Sequence, residues 1–315
     1  MLKDKIKLFS GSSHPELAQG IADALGIELG EIKRSKFQCN ENYVKIDETI
    51  RGMDTYIVQT ASSSVNDDLI ELFLIMDTLK RASASSINII MPHFAYGRQD
   101  KKSAPREPIS ARLIADLLQA VKIDRLITMD LHADQIQGFF NIPVDHLTAM
   151  PLFIDYFKEK NLDNLVVVAP DTGRAKFAKK LGDKLGAKLA IMHKTRPDHN
   201  VAEIMHLVGN VKDKTVLLVD DMVDTAGSIT SGLNKLREFG CKDDIYLATT
   251  HGIFSGPAVE RLKGANFKEI IATDTVPIPQ HKQLDNLTIL STAPMLAEVI
   301  KRNVLHESIS TLFDI

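Results

Sequence analysis

Short apolar segments alternate with amphipathic segments along the chain. Six apolar segments are rich in Val and Ile and too short for helices, which predicts β-strands. They are Ile87–Met91, Leu126–Met129, Leu165–Ala169, Val216–Val219, Ile245–Thr249 and Glu269–Ala272. Strands that alternate with helices predict parallel sheets built from right-handed crossovers. The pattern therefore predicts an α/β protein.

The amphipathic segments predict helices with one apolar face. Asn66 and Ser110 are predicted to cap two of them. A third helix is predicted to follow Ser228. The predicted core-facing residues of the three helices are Leu69, Leu72, Phe73 and Met76, then Leu113, Leu117 and Val121, and then Ile229, Leu233 and Leu236.

The length of 315 residues exceeds what one simple core usually holds. Two α/β halves are predicted, parting near Met150 and Pro151. We expect an N-terminal domain over 1–149, a C-terminal domain over 150–293, and a helix and tail over 294–315. This last segment is a candidate to pack back on the N-terminal domain.

Composition narrows the class of protein. Hydrophobic residues make up 44% and charged residues 25%, as in ordinary globular proteins. The net charge of -3 does not favour a general nucleic-acid binder. Cys39 and Cys241 fit neither a disulfide framework nor a zinc site. No stretch reaches ~18 apolar residues, so we expect no membrane span and a cytoplasmic protein.

Polar clusters follow four of the predicted strands directly. They begin after Met91, Met129, Ala169 and Val219. In parallel α/β sheets, ligands bind beyond the carboxyl ends of the strands. The clusters therefore predict where a binding site lies.

The most informative cluster is Asp220-Asp221 followed by Asp224-Thr225-Ala226-Gly227-Ser228. A carboxylate there can accept hydrogen bonds from two neighbouring ribose hydroxyls. The small, hydroxylated loop and the start of the next helix can hold a phosphate. An ordinary acidic strand-to-helix turn is the alternative. The segment resembles the phosphoribosyl pyrophosphate motif of type I phosphoribosyltransferases, and that resemblance implies two similar domains of that fold.

Further segments resemble ribose-phosphate pyrophosphokinases, over essentially the whole chain. They are Tyr96–Lys102, Arg106–Ser110, Asp130–Phe140, His193–Arg196 and Ser255–Ala258. The resemblance is strongest to the class that uses magnesium, with phosphate as activator and ADP as inhibitor. It implies transfer of the β,γ-diphosphoryl group of ATP to the C1 hydroxyl of ribose 5-phosphate. The products would be 5-phosphoribosyl 1-diphosphate and AMP, for nucleotide biosynthesis.

The resemblance also implies roles for individual residues. Lys194 and Arg196 are expected to be catalytic, on a mobile loop, and His132 and Asp171 to be ligands of Mg²⁺. The ribose 5-phosphate site is expected to comprise Arg196, Asp220, Asp221, Asp224, Thr225, Ala226, Gly227 and Ser228. The ATP site is expected to comprise Phe37, Cys39, Asn40, Glu41, Arg98 and Gln99.

Simpler explanations exist for several of these residues. His132 could be structural, Lys194 and Arg196 could lie on a solvated loop, and Phe37 could be packed in the core. The chain also departs from the family pattern. Arg174 stands where Gly is usual, Phe177 where a basic residue is frequent, and Cys39 where an acid is frequent.

An oligomer and a regulatory site are implied as well. In the family, the loop around Phe37 reaches a neighbouring subunit, so we expect a homo-oligomer, a hexamer built from dimers. The residues Arg51, Gln137, Asp145, Ser308, Ser310 and Phe313 resemble the family's allosteric site for phosphate and ADP. A tail that merely docks a helix end is the alternative for the Ser308–Phe313 part.

Three other functions compete with this interpretation. A phosphoribosyltransferase would keep the Asp220–Ser228 region but would have no reason to carry the Asp130–Phe140 run. A non-catalytic associated subunit is disfavoured by Lys194 and Arg196, although Arg174 leaves it some room. An α/β nucleotide binder of other chemistry explains the strand-end clusters less economically.

Overall fold

The structure is a computed structural model that describes residues 4–195 and 204–312, without the side chains of residues 194, 195, 204 and 205. The predictions for Arg196 and Phe313, and for the side chain of Lys194, lie outside this part. The chain divides into two compact units. Unit 1 comprises Met1–Thr148, Thr275–Pro277 and Ser291–Asp314, and unit 2 comprises Ala149–Asp274, Ile278–Leu290 and Ile315.

Unit 1 is built on a five-stranded parallel sheet and a separate antiparallel hairpin. Its elements are β1 (Ile6–Ser10), α1 (Pro15–Leu25), the hairpin strands β2 (Ile32–Lys36) and β3 (Asn42–Ile46), β4 (Asp54–Val58), α2 (Val65–Arg81), β5 (Ser86–Ile90), α3 (Ser110–Ala120), β6 (Arg125–Met129) and β7 (Val144–Leu147). The sheet order is β1-β4-β5-β6-β7. The C-terminal helix of this unit is described below.

Unit 2 is built on a seven-stranded sheet. Its elements are α4 (Met150–Lys160), β8 (Leu165–Ala169), α5 (Ala175–Leu185), β9 (Lys188–Thr195), β10 (Ile204–Val208), β11 (Thr215–Val223), α6 (Gly227–Glu238), β12 (Ile245–Gly252), α7 (Ala258–Ala265), β13 (Glu269–Thr273) and β14 (Leu287–Leu290). The order is β10-β9-β8-β11-β12-β13-β14, parallel except for β10. The last helix, α8 (Ala293–Leu305), belongs to unit 1 and contacts α1.

The central strands of the two large sheets are buried because they are largely apolar on both faces. In β11, the residues from Val216 to Val219 are fully buried between β8 and β12. Helix α6 covers this part of the sheet with Ile229, Leu233 and Leu236, as predicted. The α/β class and the six predicted strands are confirmed, with ends that shift by one to four residues at some termini.

Two details of the predicted helices were wrong. Helix α2 begins at Val65 after Ser64, so Asn66 lies inside the first turn, where its side chain accepts a hydrogen bond from the Tyr96 hydroxyl at 2.5 Å. Helix α3 follows Ile109, so Ser110 is its first helical residue rather than its cap.

The buried face of α3 also differs from the prediction. Leu113 and Leu117 are 54% and 40% exposed. The helix instead buries Ala111, Ile114, Ala115 and Leu118, which recur at the helical spacing of three and four residues. The two alanines have no bulk to hold the helix away from the sheet, so this face can pack more closely than one that carries Leu113 and Leu117. No helix in the described ranges combines the length and apolar character needed to cross a bilayer.

Candidate functional site

In unit 2, the predicted acidic pair lies inside a strand rather than after it. Strand β11 continues through Asp220 and Asp221 to Val223, and Asp220 pairs in register with Thr249 of β12. Asp221 is buried and Asp220 is half-buried. The rigid sheet therefore sets the position of both carboxylates.

The chain then turns sharply into α6. Ala226 precedes the helix at φ 60° and ψ 6°, a left-handed conformation that is uncommon for a residue with a Cβ. The Ala226 side chain cannot cap the helix, so it accepts no hydrogen bond from the first N–H groups of α6. Thr225 and Ser228 are exposed beside these N–H groups. Backbone donors and hydroxyls at a helix start form an arrangement suited to a phosphate.

Three residues that were not among the predicted site residues contact this turn or the segment after β12 beside it. The Ser255 hydroxyl donates to the Asp224 carboxylate, and the Ser255 N–H donates to the Asp224 carbonyl at 3.0 Å. Arg261 Nη1 donates to the carbonyl of Thr225 at 2.9 Å. Lys282 Nζ donates to the carbonyl of Ile253 at 2.9 Å. Burial lowers the pKa of Lys282, and the charge of Asp224 opposes that shift.

Ser255 stands in a segment that resembles the family, but no short-range pattern links Arg261 or Lys282 to the turn. Both belong to elements that follow other strands of the sheet. Only the fold brings them to Asp224 and Thr225.

The loop after β8 lies against the acidic pair. The N–H of Arg174 donates to Asp171 Oδ1 at 3.1 Å. Its side chain reaches Asp221, with Nη2 at 2.8 Å from Oδ2, and lies over the ring of Phe177 at 5.9 Å. Asp171, Asp220 and Asp221 are thus brought to one edge of the unit 2 sheet, with Arg174 among them.

In unit 1, two further clusters lie at the carboxyl ends of neighbouring strands. Arg98 and Gln99 are exposed in the loop after β5, and His132 is exposed in the loop after β6. A Cβ added to Gly97 would lie 3.9 Å from His132 Cβ, and Gln135 Nε2 donates to Asp100 Oδ2 at 3.0 Å. The two loops are therefore adjacent.

The other predicted ATP-binding residues, Phe37, Cys39, Asn40 and Glu41, occupy the tip of the β2–β3 hairpin. The Phe37 side chain is 54% exposed and packs edge-on against Tyr43, with ring centroids 5.7 Å apart. Core packing is therefore not the role of Phe37. The N–H of Phe37 donates to the carbonyl of Glu41 at 2.9 Å, which closes the tip.

The predicted regulatory residues that the structure describes all belong to unit 1. Asp145 is buried and accepts hydrogen bonds from Arg125 at 2.7 Å and from Asn303 of α8 at 3.0 Å. The Ser308 and Ser310 hydroxyls lie 2.7 Å apart, and Arg302 donates to the Ser308 carbonyl at 2.8 Å. Helix α8 thus links the Asp145 carboxylate to the serine tail.

The other two described members of this predicted set are Gln137 and Arg51. Gln137 Nε2 is 3.1 Å from His146 Nδ1, next to Asp145 on β7, and Arg51 is exposed before β4. Gln137 therefore contacts β7, the strand that carries Asp145.

The carboxylates of the site could bind a hard cation such as Mg²⁺ only together with waters or substrate phosphates. Within the described residues, no group of three or more His, Cys, Asp or Glu side chains is arranged to hold a metal ion. Mg²⁺ usually keeps several waters and binds through one or two carboxylates plus substrate phosphates. The exposed carboxylate of Asp171 fits that mode.

Comparison with known proteins gives consistent results along the chain. Residues 6–121 match the model of the N-terminal domain of ribose phosphate pyrophosphokinase, and residues 197–314 match the phosphoribosyl synthetase-associated domain. The ribose-phosphate pyrophosphokinase of Fusobacterium nucleatum is 47% identical over 99% of both chains. That of Clostridium perfringens is 49% identical over 98% of this chain and 97% of its own.

The structural comparison agrees. The crystal structure of phosphoribosylpyrophosphate synthetase from Mycobacterium smegmatis matches with a TM-score of 0.91 and 44% identity, over 96% of this chain and 99% of that one. The chain therefore belongs to the ribose-phosphate pyrophosphokinase family.

Proposed function

We propose that this protein is a ribose-phosphate diphosphokinase, which transfers the β,γ-diphosphoryl group of ATP to the C1 hydroxyl of ribose 5-phosphate. The observation that carries the proposal is the acidic pair of β11 followed by the left-handed turn into α6. Carboxylates suit the ribose hydroxyls and the helix start suits the 5-phosphate. The full-length relatives supply the reaction.

In this reaction, the C1 oxygen of the sugar forms a bond to the β-phosphorus of ATP. The bond from that phosphorus to the oxygen bridging the α- and β-phosphates breaks, and AMP leaves with that oxygen. The hydroxyl proton is released. Such a displacement depends on in-line positioning and neutralised charge more than on covalent catalysis.

Each group of residues has a proposed part in binding. The acidic pair of Asp220 and Asp221 forms the part of the site that receives the ribose hydroxyls, and the turn of Thr225 to Ser228 holds the 5-phosphate. Asp224 keeps that turn in place through Ser255. The exposed ring of Phe37 is available to stack on adenine, with Cys39, Asn40 and Glu41 beside it, and Arg98 and Gln99 contact the nucleotide.

We assign the catalytic cations to Lys194 and Arg196 from the sequence. Positive charges near the transferring group stabilise the transition state of phosphoryl transfer. Asp171 and His132 would hold Mg²⁺, which when bound neutralises phosphate charge. The Asp171 carboxylate is already oriented by the Arg174 N–H.

Assembly and regulation are further parts of the proposal. A homo-oligomer, a hexamer built from dimers, and control by phosphate and ADP follow from the family resemblance. The Asp145–Asn303 bond supports a link between the serine tail and the body of unit 1. If ADP inhibition is purely competitive with ATP, and Ser308→Ala with Ser310→Ala changes nothing, the regulatory part is wrong.

Phosphorus NMR of the purified protein with magnesium, ATP, phosphate and ribose 5-phosphate tests the reaction. We expect AMP and an anomeric diphosphate, both dependent on the sugar. ADP in place of AMP would mean γ-phosphoryl transfer and would refute the mechanism. Bound ATP without turnover would indicate an associated regulatory subunit, and diphosphate release with a nucleobase would indicate a phosphoribosyltransferase.

A further inference from the structure

Arg174 connects the loop after β8 to the acidic pair of β11. Its Nε donates to Asp221 Oδ1 at 3.2 Å, and its Nη2 lies 2.8 Å from Asp221 Oδ2. The same Nε lies 3.8 Å from Asp220 Oδ1. The Nη2 contact is an ion pair without hydrogen-bond geometry. Both oxygens of Asp221 therefore face one guanidinium, which lies further from Asp220, and Asp220 Oδ1 also accepts a hydrogen bond from the Asp221 N–H at 2.9 Å.

This ion pair is shielded from water. The side chains of Arg174 and Asp221 are 16% and 5% exposed, whereas Asp220 is 19% exposed. The ring of Phe177 covers the guanidinium at 5.9 Å. Arginine is suited to such a place, because its planar fork matches a carboxylate and stacks on an aromatic face. The two residues that depart from the family pattern in this loop thus contact each other.

We infer that Arg174 is a positioning residue for the sugar: it holds Asp221 so that Asp220 is the acid presented to the ribose hydroxyls. The inference rests on the proposed function, because it assigns a division of labour within the proposed sugar site. Without the guanidinium, the buried Asp221 carboxylate loses this ion pair and can take up another orientation. The orientation of the Asp221 carboxylate, and the electrostatic field that acts on Asp220, would then change.

Steady-state AMP formation tests the inference in the full-length protein with Arg174→Ala, Arg174→Lys and the control Lys176→Ala. Lys176 is an exposed cation in the same segment. Loss of a charge-assisted pair predicts a KM for ribose 5-phosphate raised about tenfold in Arg174→Ala. Its kcat and its KM for ATP stay within about threefold. Arg174→Lys, whose ammonium cannot contact both oxygens, shows a rise of about threefold, and Lys176→Ala shows none.

A double-mutant cycle shows whether Arg174 acts through Asp221. In an Asp221→Asn background, the effect of Arg174→Ala on this KM shrinks to about twofold or less, because the charge it neutralises is gone. A merely structural role would lower Tm and kcat without a selective rise in KM. If Arg174→Ala does not fold, Arg174→Lys decides by the same criterion.

The outcomes separate the inference from the proposed function. An active wild type with an unchanged KM in Arg174→Ala, or full additivity with Asp221→Asn, overturns the inference alone. A wild type that forms no sugar-dependent AMP overturns the proposed function and this inference with it.

Discussion

The hydroxyl of Thr225 offers the sharpest test of the proposed phosphate site. We expect Thr225→Val to raise the KM for ribose 5-phosphate while the fold stays intact. Thr225 is exposed at the start of α6, and Arg261 holds its carbonyl at 2.9 Å, so the change removes one oxygen from a supported turn. A hydrogen bond to a charged group contributes about 1.5–3 kcal/mol, which is about a tenfold to hundredfold change in binding.

Thr230→Val is the matched control for this prediction. The Thr230 hydroxyl lies one turn further along the same helix and donates to the carbonyls of Ala226 at 3.0 Å and Gly227 at 3.1 Å. Its removal costs about 1 kcal/mol of stability and leaves the KM within about twofold. Thr225→Val, at an exposed position, changes the free energy of unfolding by less than about 0.5 kcal/mol.

AMP formation at saturating ATP, with the sugar varied, gives the two KM values, and thermal unfolding gives the two Tm values. A KM of Thr225→Val within twofold of the wild type would refute the placement of the phosphate, whatever the KM of Thr230→Val. Equal rises in both variants would mean that both substitutions distort the turn. That result would refute the expectation that the Thr225 hydroxyl binds the phosphate whereas the Thr230 hydroxyl only stabilises the helix.

Three other predictions test the nucleotide site, the catalytic cations and the buried acids. Phe37→Ala raises the KM for ATP about tenfold because a stacking partner is lost, with an unchanged Tm because Phe37 is exposed; an unchanged KM would exclude stacking. Lys194→Ala lowers kcat at least ~10²-fold, whereas Lys188→Ala at an exposed position does not; an unchanged rate removes Lys194 from the mechanism. Burial, and more weakly the charge of Glu71, raise the pKa of Asp68, so its charged form opposes folding at neutral pH. Asp68→Asn therefore raises Tm at pH 7, provided that the asparagine oxygen keeps the two hydrogen bonds from Ser62, and the difference closes as the pH falls through the raised pKa; a difference that widens on acidification contradicts this sign.

Strand positions could be predicted because short runs of Val and Ile are typical of buried strands. The run from Val216 to Val219 is fully buried, and Ile229, Leu233 and Leu236 form the buried face of the next helix. The end of the strand could not be predicted. Asp220 and Asp221 are polar, yet β11 continues through them, because backbone pairing with β12 does not depend on side-chain polarity.

Helix faces were predicted less well where small residues pack. In α3, Leu113 and Leu117 are the larger side chains, but Ala111 and Ala115 lie in the core and the leucines are exposed. A hydrophobic pattern gives weight to large residues, whereas close packing against a sheet favours small ones. Which face of the helix is buried depends on the surface that it packs against, and that surface is formed by distant parts of the chain.

The contrast between a local sequence pattern and contacts with distant parts of the chain also explains which parts of the candidate site could be predicted. Each polar cluster is visible because it follows an apolar run, but only the strand order decides which clusters are neighbours. Strands β5 and β6 follow each other in the chain and are adjacent in the sheet, so the meeting of the Arg98 and His132 loops is the simplest expectation. Strands β8 and β11 are adjacent although β9 and β10 intervene in the chain. The contact between Arg174 and Asp221 depends on that crossover. The sequence alone shows that Arg174 departs from the family pattern. The strand order then shows that its guanidinium contacts Asp221, and this contact gives it a role that can be tested.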